Sequence, residues 1–255
     1  MDRRLLGVRR NDTAGPPNGS PSDALAFVQS LGAVAWYRAD LGVTVATGAS
    51  AWADQLGLAP SFAQGTAGNQ PAVTNPTGLS SKTTLTGDVT NDFMVMGSNL
   101  TIASNLVTVA FPLLLTSAAT GKVIIESNQG SGSGHFEILL VAGPKVYVAY
   151  VSTGITERTC TATEVVGTYA RFVVTIDPSV ANAQPNIYRN GSLAQVSTSS
   201  TAIAGTNLVA PWNIMGRAAS AYLGGSIPEI IVTNRIATAG DIAAIDGYFI
   251  SRYGP

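Results

Sequence analysis

Short apolar segments separated by turn-forming residues dominate this sequence, and they constrain its fold more than any other feature. They are rich in Val, Ile, Tyr and Phe, and Gly, Ser, Thr and Asn clusters separate them from Ala33 to about residue 236. The clearest are AVAWYR, LVTVAFPLLL, KVIIE, FEILLVAG, KVYVAYVS, RFVVTID, NIYRNGSLAQV and IPEIIVTN. No helical period is visible between Ala33 and Arg235. The pattern predicts an all-β protein built as a sandwich of antiparallel sheets.

One hairpin is predicted from local sequence alone. Asn190 and Gly191 lie between two strand-like segments, NIYR and SLAQV. Both residue types tolerate the positive φ that a type I′ turn requires. We therefore interpret this Asn-Gly pair as a structural turn.

Helices are predicted only near the two ends of the sequence. A short one spans residues 22–31, with Ser22 as its N-cap. A closing helix spans residues 238–252 and begins with Thr238-x-x-Asp241, a variant of the capping box. One apolar stripe follows, formed by Ile242, Ile245 and Phe249. The stripe predicts that the closing helix packs on a sheet.

The beginning of the sequence differs in composition from the rest. Residues 1–21 are predicted to form an extended arm that precedes a single domain at residues 22–255. Four of the first ten residues are Arg: Arg3, Arg4, Arg9 and Arg10. The arm is either a disordered tail or a peptide that orders when it docks on an acidic partner surface. Because the formal net charge is −1 and no aromatic residues are interleaved, we expect no binding to nucleic acid.

Composition also limits the surroundings of the protein. Charged residues make up 11% of the sequence, against about 25% in typical soluble domains. The surface must then rely on Ser, Thr, Asn, Gln and Gly, which suits a packed assembly or an extracellular position. The longest apolar run, residues 106–115, has about half of the roughly 20 residues that a membrane span needs, and no secretory signal pattern is present. We expect no contact with a membrane.

Several short motifs, taken in order, resemble one known family. AWYRAD is followed by WADQLG and AQGTAGNQPAV, and later by RFVVTID, NIYRNGSL, NIMGR and YLGGSIPEIIVTNR. Over residues 33–254 this order resembles the concanavalin A-like, laminin G-like jelly-roll superfamily. The resemblance implies two antiparallel sheets packed face to face, with a short closing helix at the C-terminal end. It also implies that the first strand, residues 33–38, lies beside the last, residues 230–234.

The resemblance leaves the activity open, because members of such a superfamily bind glycans or proteins, cleave polysaccharides or build assemblies. Glycoside hydrolysis needs two carboxylates about 5–9.5 Å apart, and the Glu-x-Asp-x-x-Glu run of the sandwich hydrolases is absent. The Glu residues are isolated in the sequence: Glu126, Glu137, Glu157, Glu164 and Glu229. The lyases of this fold need an Arg, Gln, His and Tyr cluster, whereas His135 is the single His. We therefore predict no catalytic residues.

The sequence gives only weak signals for residues that could bind a glycan or a calcium ion. Trp212 and Tyr222 are candidate platforms for a sugar ring, and His135, at the edge of a Gly-rich loop, is a candidate hydrogen-bond partner for a glycan. For each of them the alternative is a core or loop residue. Candidate calcium ligands are Asp88, Asn91 and Asp92. Their alternative role is to cap turns, and no other cofactor is expected.

These features favour a non-enzymatic component of a bacteriophage particle, such as a capsid decoration protein, a head fibre or a tail-associated protein. Phage proteins leave the cell by lysis, so the virion would be its location without an export signal. In this hypothesis the arm docks on other virion proteins, and the lectin-like domain projects towards host cell-surface glycans. A symmetric homo-oligomer, for example a trimer, is expected. The alternatives are a carbohydrate-binding module of a surface or secreted protein and, less favoured, a polysaccharide-active enzyme.

Overall fold

The computed structural model describes residues 21–102, 106–127, 135–151, 155–177, 185–200, 208–217 and 220–255. The Arg residues of the predicted arm, Arg3, Arg4, Arg9 and Arg10, lie outside these ranges. The described residues form helix α1 (Pro21–Ser30), helix α2 (Ala239–Tyr253) and strands β1 to β21. Neither helix is long and apolar enough to cross a membrane.

The strands are short and follow the apolar segments of the sequence. Strands β1 to β7 span Ala33–Arg38, Val43–Val45, Ala49–Trp52, Phe62–Ala63, Ala72–Thr74, Thr84–Asp88 and Met94–Met96. Strands β8 to β14 span Leu100–Ile102, Val107–Leu115, Lys122–Ser127, His135–Val141, Lys145–Val151, Ile155–Cys160 and Tyr169–Ile176. Strands β15 to β21 span Asn186–Arg189, Ser192–Leu193, Gln195–Ser200, Leu208–Ala210, Trp212–Ile214, Gly224–Ile227 and Glu229–Thr233.

Two large antiparallel sheets make up the jelly-roll sandwich, as the sequence predicts. Among the described strands, sheet A has nine strands in the order β16-β15-β14-β9-β20-β6-β5, with β21 also paired to β9 and β1 paired to β21. Sheet B has ten, in the order β17-β13-β12-β11-β10-β19-β7-β4-β3-β2. A separate pair joins β18 to β8. The pairing of β1 with β21, with Trp36 opposite Ile231, confirms that the first and last strands are neighbours.

The inner faces of the two sheets enclose the main core. On the inner face of sheet B, Trp52 is opposite Phe62, while Trp212 of β19 and Phe136 of β11 lie on either side of β10. The rings of Phe136 and Trp212 meet edge to face at 4.8 Å, an arrangement that aromatic pairs prefer. The outer face of sheet B is therefore the face that can carry polar residues.

Both helices cover the outer face of sheet A. The apolar stripe of α2 and residues of α1 are buried in one cluster with Trp36 and Ile231 of sheet A. The ring of Phe27 in α1 lies 4.9 Å from that of Tyr248 in α2. Burial of these side chains, at about 25 cal/mol per Å² of apolar surface, holds both helices on the sheet.

Local capping and turn residues act as predicted. Thr238 caps α2: its side chain accepts a hydrogen bond from the backbone N–H of Asp241, whose carboxylate accepts from the backbone N–H of Thr238. In the β15–β16 hairpin, Asn190 and Gly191 have φ of 50° and 75°. These values confirm the predicted turn residues.

Candidate functional site

A line of cross-strand neighbours runs across the outer face of sheet B. Each residue is directly opposite the next in the strand register: Thr44, Ala51, Ala63, Val95, Asn213, Glu126, Glu137, Ala149 and Glu157. The adjoining row of the same strands lies in the core and includes Ile138, Val148 and Ile214. Since successive side chains of a strand point to opposite faces, the line faces away from the core. We name the segment from Asn213 to Glu157 the polar row.

Glu126 is the most buried carboxylate of the polar row, with 0% exposure. Its Oε1 accepts a hydrogen bond of 2.9 Å from Nδ2 of Asn213, and its Oε2 accepts one of 2.7 Å from Nε of Arg217. Burial raises the pKa of Glu126 above its usual value, although the bonds from Asn213 and Arg217 oppose this effect. The ion pair with Arg217 thus favours the charged form of this buried carboxylate.

Glu137, on the neighbouring strand, binds the other side of the same guanidinium. Its Oε1 accepts a hydrogen bond of 2.7 Å from the second nitrogen of Arg217 and lies 3.4 Å from Nε2 of His135. The hydrogen bond from His135, together with Arg217, lowers the pKa of Glu137 despite its burial. Two carboxylates that are isolated in the sequence therefore form one ion cluster, with pKa values shifted in opposite directions.

The far end of the polar row combines a carboxylate with a phenol. The hydroxyl of Tyr147 donates a hydrogen bond to Oε2 of Glu157. Burial, and then this bond to Glu157, raises the pKa of Tyr147, so the phenol stays a proton donor. Ala149 lies between Glu137 and Glu157 in the register. The side chain between these two carboxylates in the register is therefore only a methyl group.

A match to a protein-family profile identifies the family of this chain. The profile of Laminin_G_3, described as the concanavalin A-like lectin/glucanases superfamily, matches residues 88–243, more than half of the 255 residues. The chain belongs to this superfamily. No curated protein matches the sequence at a significant level.

Solved structures with the same fold are distant in sequence from this superfamily member. Domain 4 of the GH43 extracellular arabinanase AbnA from Geobacillus stearothermophilus, in complex with arabinotriose, aligns with a TM-score of 0.60 at 12% identity, over 84% of this chain and 98% of that domain. Trypanosoma rangeli sialidase aligns with a TM-score of 0.58 at 13% identity, over 87% of this chain. The chain spans 32% of the length of that sialidase. These likenesses show that the lectin-like fold is shared.

The residues predicted to bind glycans do not lie together in this superfamily domain. Trp212 faces the core with 1% exposure, so its ring cannot stack on a sugar. Tyr222 is half-buried beside Phe93, with ring centroids 6.1 Å apart. His135, predicted at the edge of a Gly-rich loop, is the first residue of β11 and is buried against Glu137. Of the three, His135 adjoins the polar row.

The predicted calcium ligands Asp88 and Asn91 are engaged in hydrogen bonds with backbone groups. Oδ1 of Asp88 accepts hydrogen bonds from the backbone N–H groups of Thr90 and Asn91, which outweigh burial and lower its pKa. Nδ2 of Asn91 donates a hydrogen bond of 2.6 Å to the carbonyl oxygen of Gly68. Burial, and then the charge of Asp88, raises the pKa of Asp92 to about 6. These contacts suit a capped turn better than an oxygen cage for calcium.

Proposed function

We propose that this superfamily domain is a non-enzymatic recognition domain of a bacteriophage particle, which binds glycans on the outer face of sheet B. The observation that carries the proposal is the contrast between the two outer faces. Helices α1 and α2 cover that of sheet A, whereas that of sheet B carries the polar row. Beside the polar row lie small side chains that are open or half-open to solvent: Ala51, Ala63 and Val95. Small apolar floors next to oriented polar groups suit a sugar ring.

The geometry of the polar row favours binding over cleavage. Both oxygens of Glu126 are held, one by Asn213 and one by Arg217. Arg217 lies between Glu126 and Glu137, where the bond to be cleaved would have to reach two carboxylates. A fixed ion cluster of this kind orients hydrogen-bond acceptors for hydroxyl groups. The arabinotriose bound to the arabinanase domain of the same fold supports a glycan as the ligand class.

A glycan array with a blocked face tests the recognition function. The full chain should bind a defined set of glycans, and Ala63→Trp, which fills the exposed position next to Val95, should weaken that binding at least tenfold. The matched control is Ala244→Trp, an exposed position on α2 at the opposite face, which should bind like the parent. Equal binding by both variants, or no binding by the parent, would contradict the proposal.

The arm is the proposed anchor. Helix α1 begins at Pro21, one residue before the predicted start, and packs against α2 and the outer face of sheet A. The arm therefore joins the domain at the helix-covered side, so the polar row would point away from the surface on which the arm docks. The low content of charged residues, 11%, supports a place within an assembly.

Deletion of residues 1–20 should abolish incorporation into phage particles. The melting temperature should stay unchanged, because the core of the domain begins with Ala24 of α1. Full-length protein with its four arm Arg residues changed to Gln should show the same loss if charge provides the docking energy. The measurement is co-sedimentation of tagged protein with particles. Normal incorporation of the shortened chain would instead support the alternative of a carbohydrate-binding module outside a virion.

A further inference from the structure

Two aromatic rings border the small side chains on the outer face of sheet B. The ring centroids of Phe93 and Tyr222 are 6.1 Å apart. Neither ring belongs to the main core, whereas their chain neighbours Met94 and Leu223 do. Because successive side chains of an extended chain point to opposite faces, Phe93 faces the same way as Val95, roughly 7 Å further along. The aromatic pair therefore lies beside Val95 on the outer face.

Tyr222 is the more open of the two rings. It is half-buried, whereas Phe93 is only 7% exposed. In the part of the chain that the structure describes, the hydroxyl group of Tyr222 has no hydrogen-bond partner and is not buried. The ring packs closely on the backbone of Gly216, where an added Cβ would lie 2.7 Å from Cδ1 of Tyr222. One side of this ring is thus supported by the protein, and the rest is open to a ligand.

Backbone strain is concentrated in the two segments that carry these rings. Val89, Met215 and Ala221 have φ of 67°, 64° and 61°. Residues with a side chain rarely adopt a positive φ, and a β-branched residue such as Val does so least readily. Strain of this kind persists only where the surrounding structure enforces it, and it clusters at sites that clamp a ligand.

Hydrogen bonds fix both chain neighbours of Tyr222. The carbonyl oxygen of Ala221 accepts a bond of 2.9 Å from the backbone N–H of Val123 in β10. The backbone N–H of Leu223 donates one of 2.8 Å to the carbonyl oxygen of Met215. Tyr222 is therefore preorganised, and little conformational freedom is left for a ligand to remove.

The surface beside Tyr222 is uncharged in the part of the chain that the structure describes. Small or short side chains continue across the strands from Val95, namely Ala63, Ala51 and Thr44. Ala63 and Thr44 are exposed, and Val95 and Ala51 are half-buried. We name Ala51, Ala63 and Val95 the small floor. Arg217, the cation of the polar row, is already paired with both Glu126 and Glu137.

One acceptor at the border of the small floor lacks a donor. Asn213 is directly opposite Val95 and has 0% exposure. Its Nδ2 donates to Glu126 on the other side, while its Oδ1 has no hydrogen-bond partner among the described residues. Because the two branches of an amide point in different directions, Oδ1 is directed away from Glu126. A hydroxyl group of a ligand over Val95 can supply the missing donor through an ordered water.

We infer that the ligand is a neutral sugar, whose ring lies on the small floor and stacks its C–H face against Tyr222. This inference rests on the proposed glycan-binding function and names the ligand class for the same face. An aromatic ring beside apolar side chains and a few oriented polar groups suits such a ligand. An acidic sugar finds no unpaired cation among the described residues of this surface, and an amino sugar finds no unpaired carboxylate.

A glycan array that carries neutral, uronic-acid and free-amine oligosaccharides tests the inference, with arabinotriose, cellotriose and maltotriose among the neutral probes. The full chain should bind neutral oligosaccharides in preference to both charged classes. Tyr222→Leu keeps an apolar contact with Phe93 but removes the aromatic face, and should weaken this binding about tenfold. Tyr222→Phe keeps the ring and should retain most of the binding. The matched control is Tyr188→Leu, a half-buried Tyr on the outer face of sheet A, which should bind like the parent.

The outcomes separate this inference from the function on which it rests. Binding that is lost in Ala63→Trp but unchanged in Tyr222→Leu overturns the role of Tyr222, while glycan recognition stands. A bound set made up of acidic or free-amine oligosaccharides overturns the neutral ligand in the same way. Equal losses in Tyr222→Leu and Tyr188→Leu also overturn the contact, because the effect is then one of general stability. Failure to bind any glycan overturns both proposals. Thermal unfolding of each variant establishes that it is folded.

Discussion

Replacement of Glu229 by Ala is expected to destabilise the domain by about 3–5 kcal/mol, the usual effect of breaking a buried ion pair on one side. Glu229, the first residue of β21, has 0% exposure, and its side chain contacts α2. Its Oε1 accepts hydrogen bonds from Nε1 of Trp36 at 2.5 Å and from the hydroxyl of Tyr248 at 2.8 Å. Its Oε2 accepts one of 2.6 Å from Tyr253 and lies 3.4 Å from Nε of Arg252.

The loss extends beyond Glu229 itself, because it leaves buried donors without an acceptor. Arg252 keeps its bond of 2.5 Å to Asp40, but its charge is then only partly compensated. Urea unfolding followed by circular dichroism measures the effect. Glu164→Ala is the matched control: Glu164 is also buried, but its side chain binds only Arg189 among the described residues. A cost for Glu229→Ala no larger than that for Glu164→Ala would refute the idea that Glu229 holds α2 in place.

How much of this arrangement the sequence predicts depends on the distance over which each signal acts. The position, cap and apolar stripe of α2 are predicted because the residues that produce them lie within a few positions of one another. The sequence does not predict that Glu229 accepts hydrogen bonds from Tyr248 and Tyr253 of that helix. Glu229 lies 193 positions from Trp36, and only the pairing of β1 with β21 brings them together. The superfamily resemblance predicts that pairing but not the side chains buried between sheet and helix.

The polar row shows a second limit, which is strand register. Strand β10 contains an irregularity between Val123 and Ile125, so that Val123 is opposite Leu139 but Ile125 is opposite Ile138. Without that extra residue, Glu126 would be opposite Phe136 and would face the core. A shift of one residue moves every side chain to the other face. The sequence therefore showed Glu126 and Glu137 as isolated acids, and no local signal predicts their common partner Arg217.

Replacement of Arg217 by Met should destabilise the domain by about 3 kcal/mol at neutral pH. The variant keeps much of the aliphatic volume but leaves Glu126, with 0% exposure, without a cation, and Glu137 with only His135. Chemical unfolding at neutral pH is the measurement. Arg189→Met is the matched control, because Arg189 also forms a bidentate pair with one buried carboxylate, that of Glu164, but bridges no second one.

A double variant shows whether the cost comes from the uncompensated charge. Glu126→Gln with Arg217→Met removes the buried charge together with its partner, and should recover at least half of the stability that Arg217→Met loses. No recovery in the double variant would mean that Arg217 stabilises the sheet through packing alone.

The pH dependence of Arg217→Met follows from the two pKa shifts. The pKa of Glu126 is already raised by burial, and loss of Arg217 raises it further. A carboxyl whose folded pKa is raised destabilises the fold as pH rises through and above its unfolded value, so the penalty of the variant is largest at neutral pH. Glu137 has a lowered pKa, and the stability that it contributes above its unfolded pKa shrinks without Arg217. Both effects make the stability difference between parent and variant decrease as the pH falls from 7 to about 4. A difference that stays constant over this range would show that neither carboxylate depends on Arg217 for its charge.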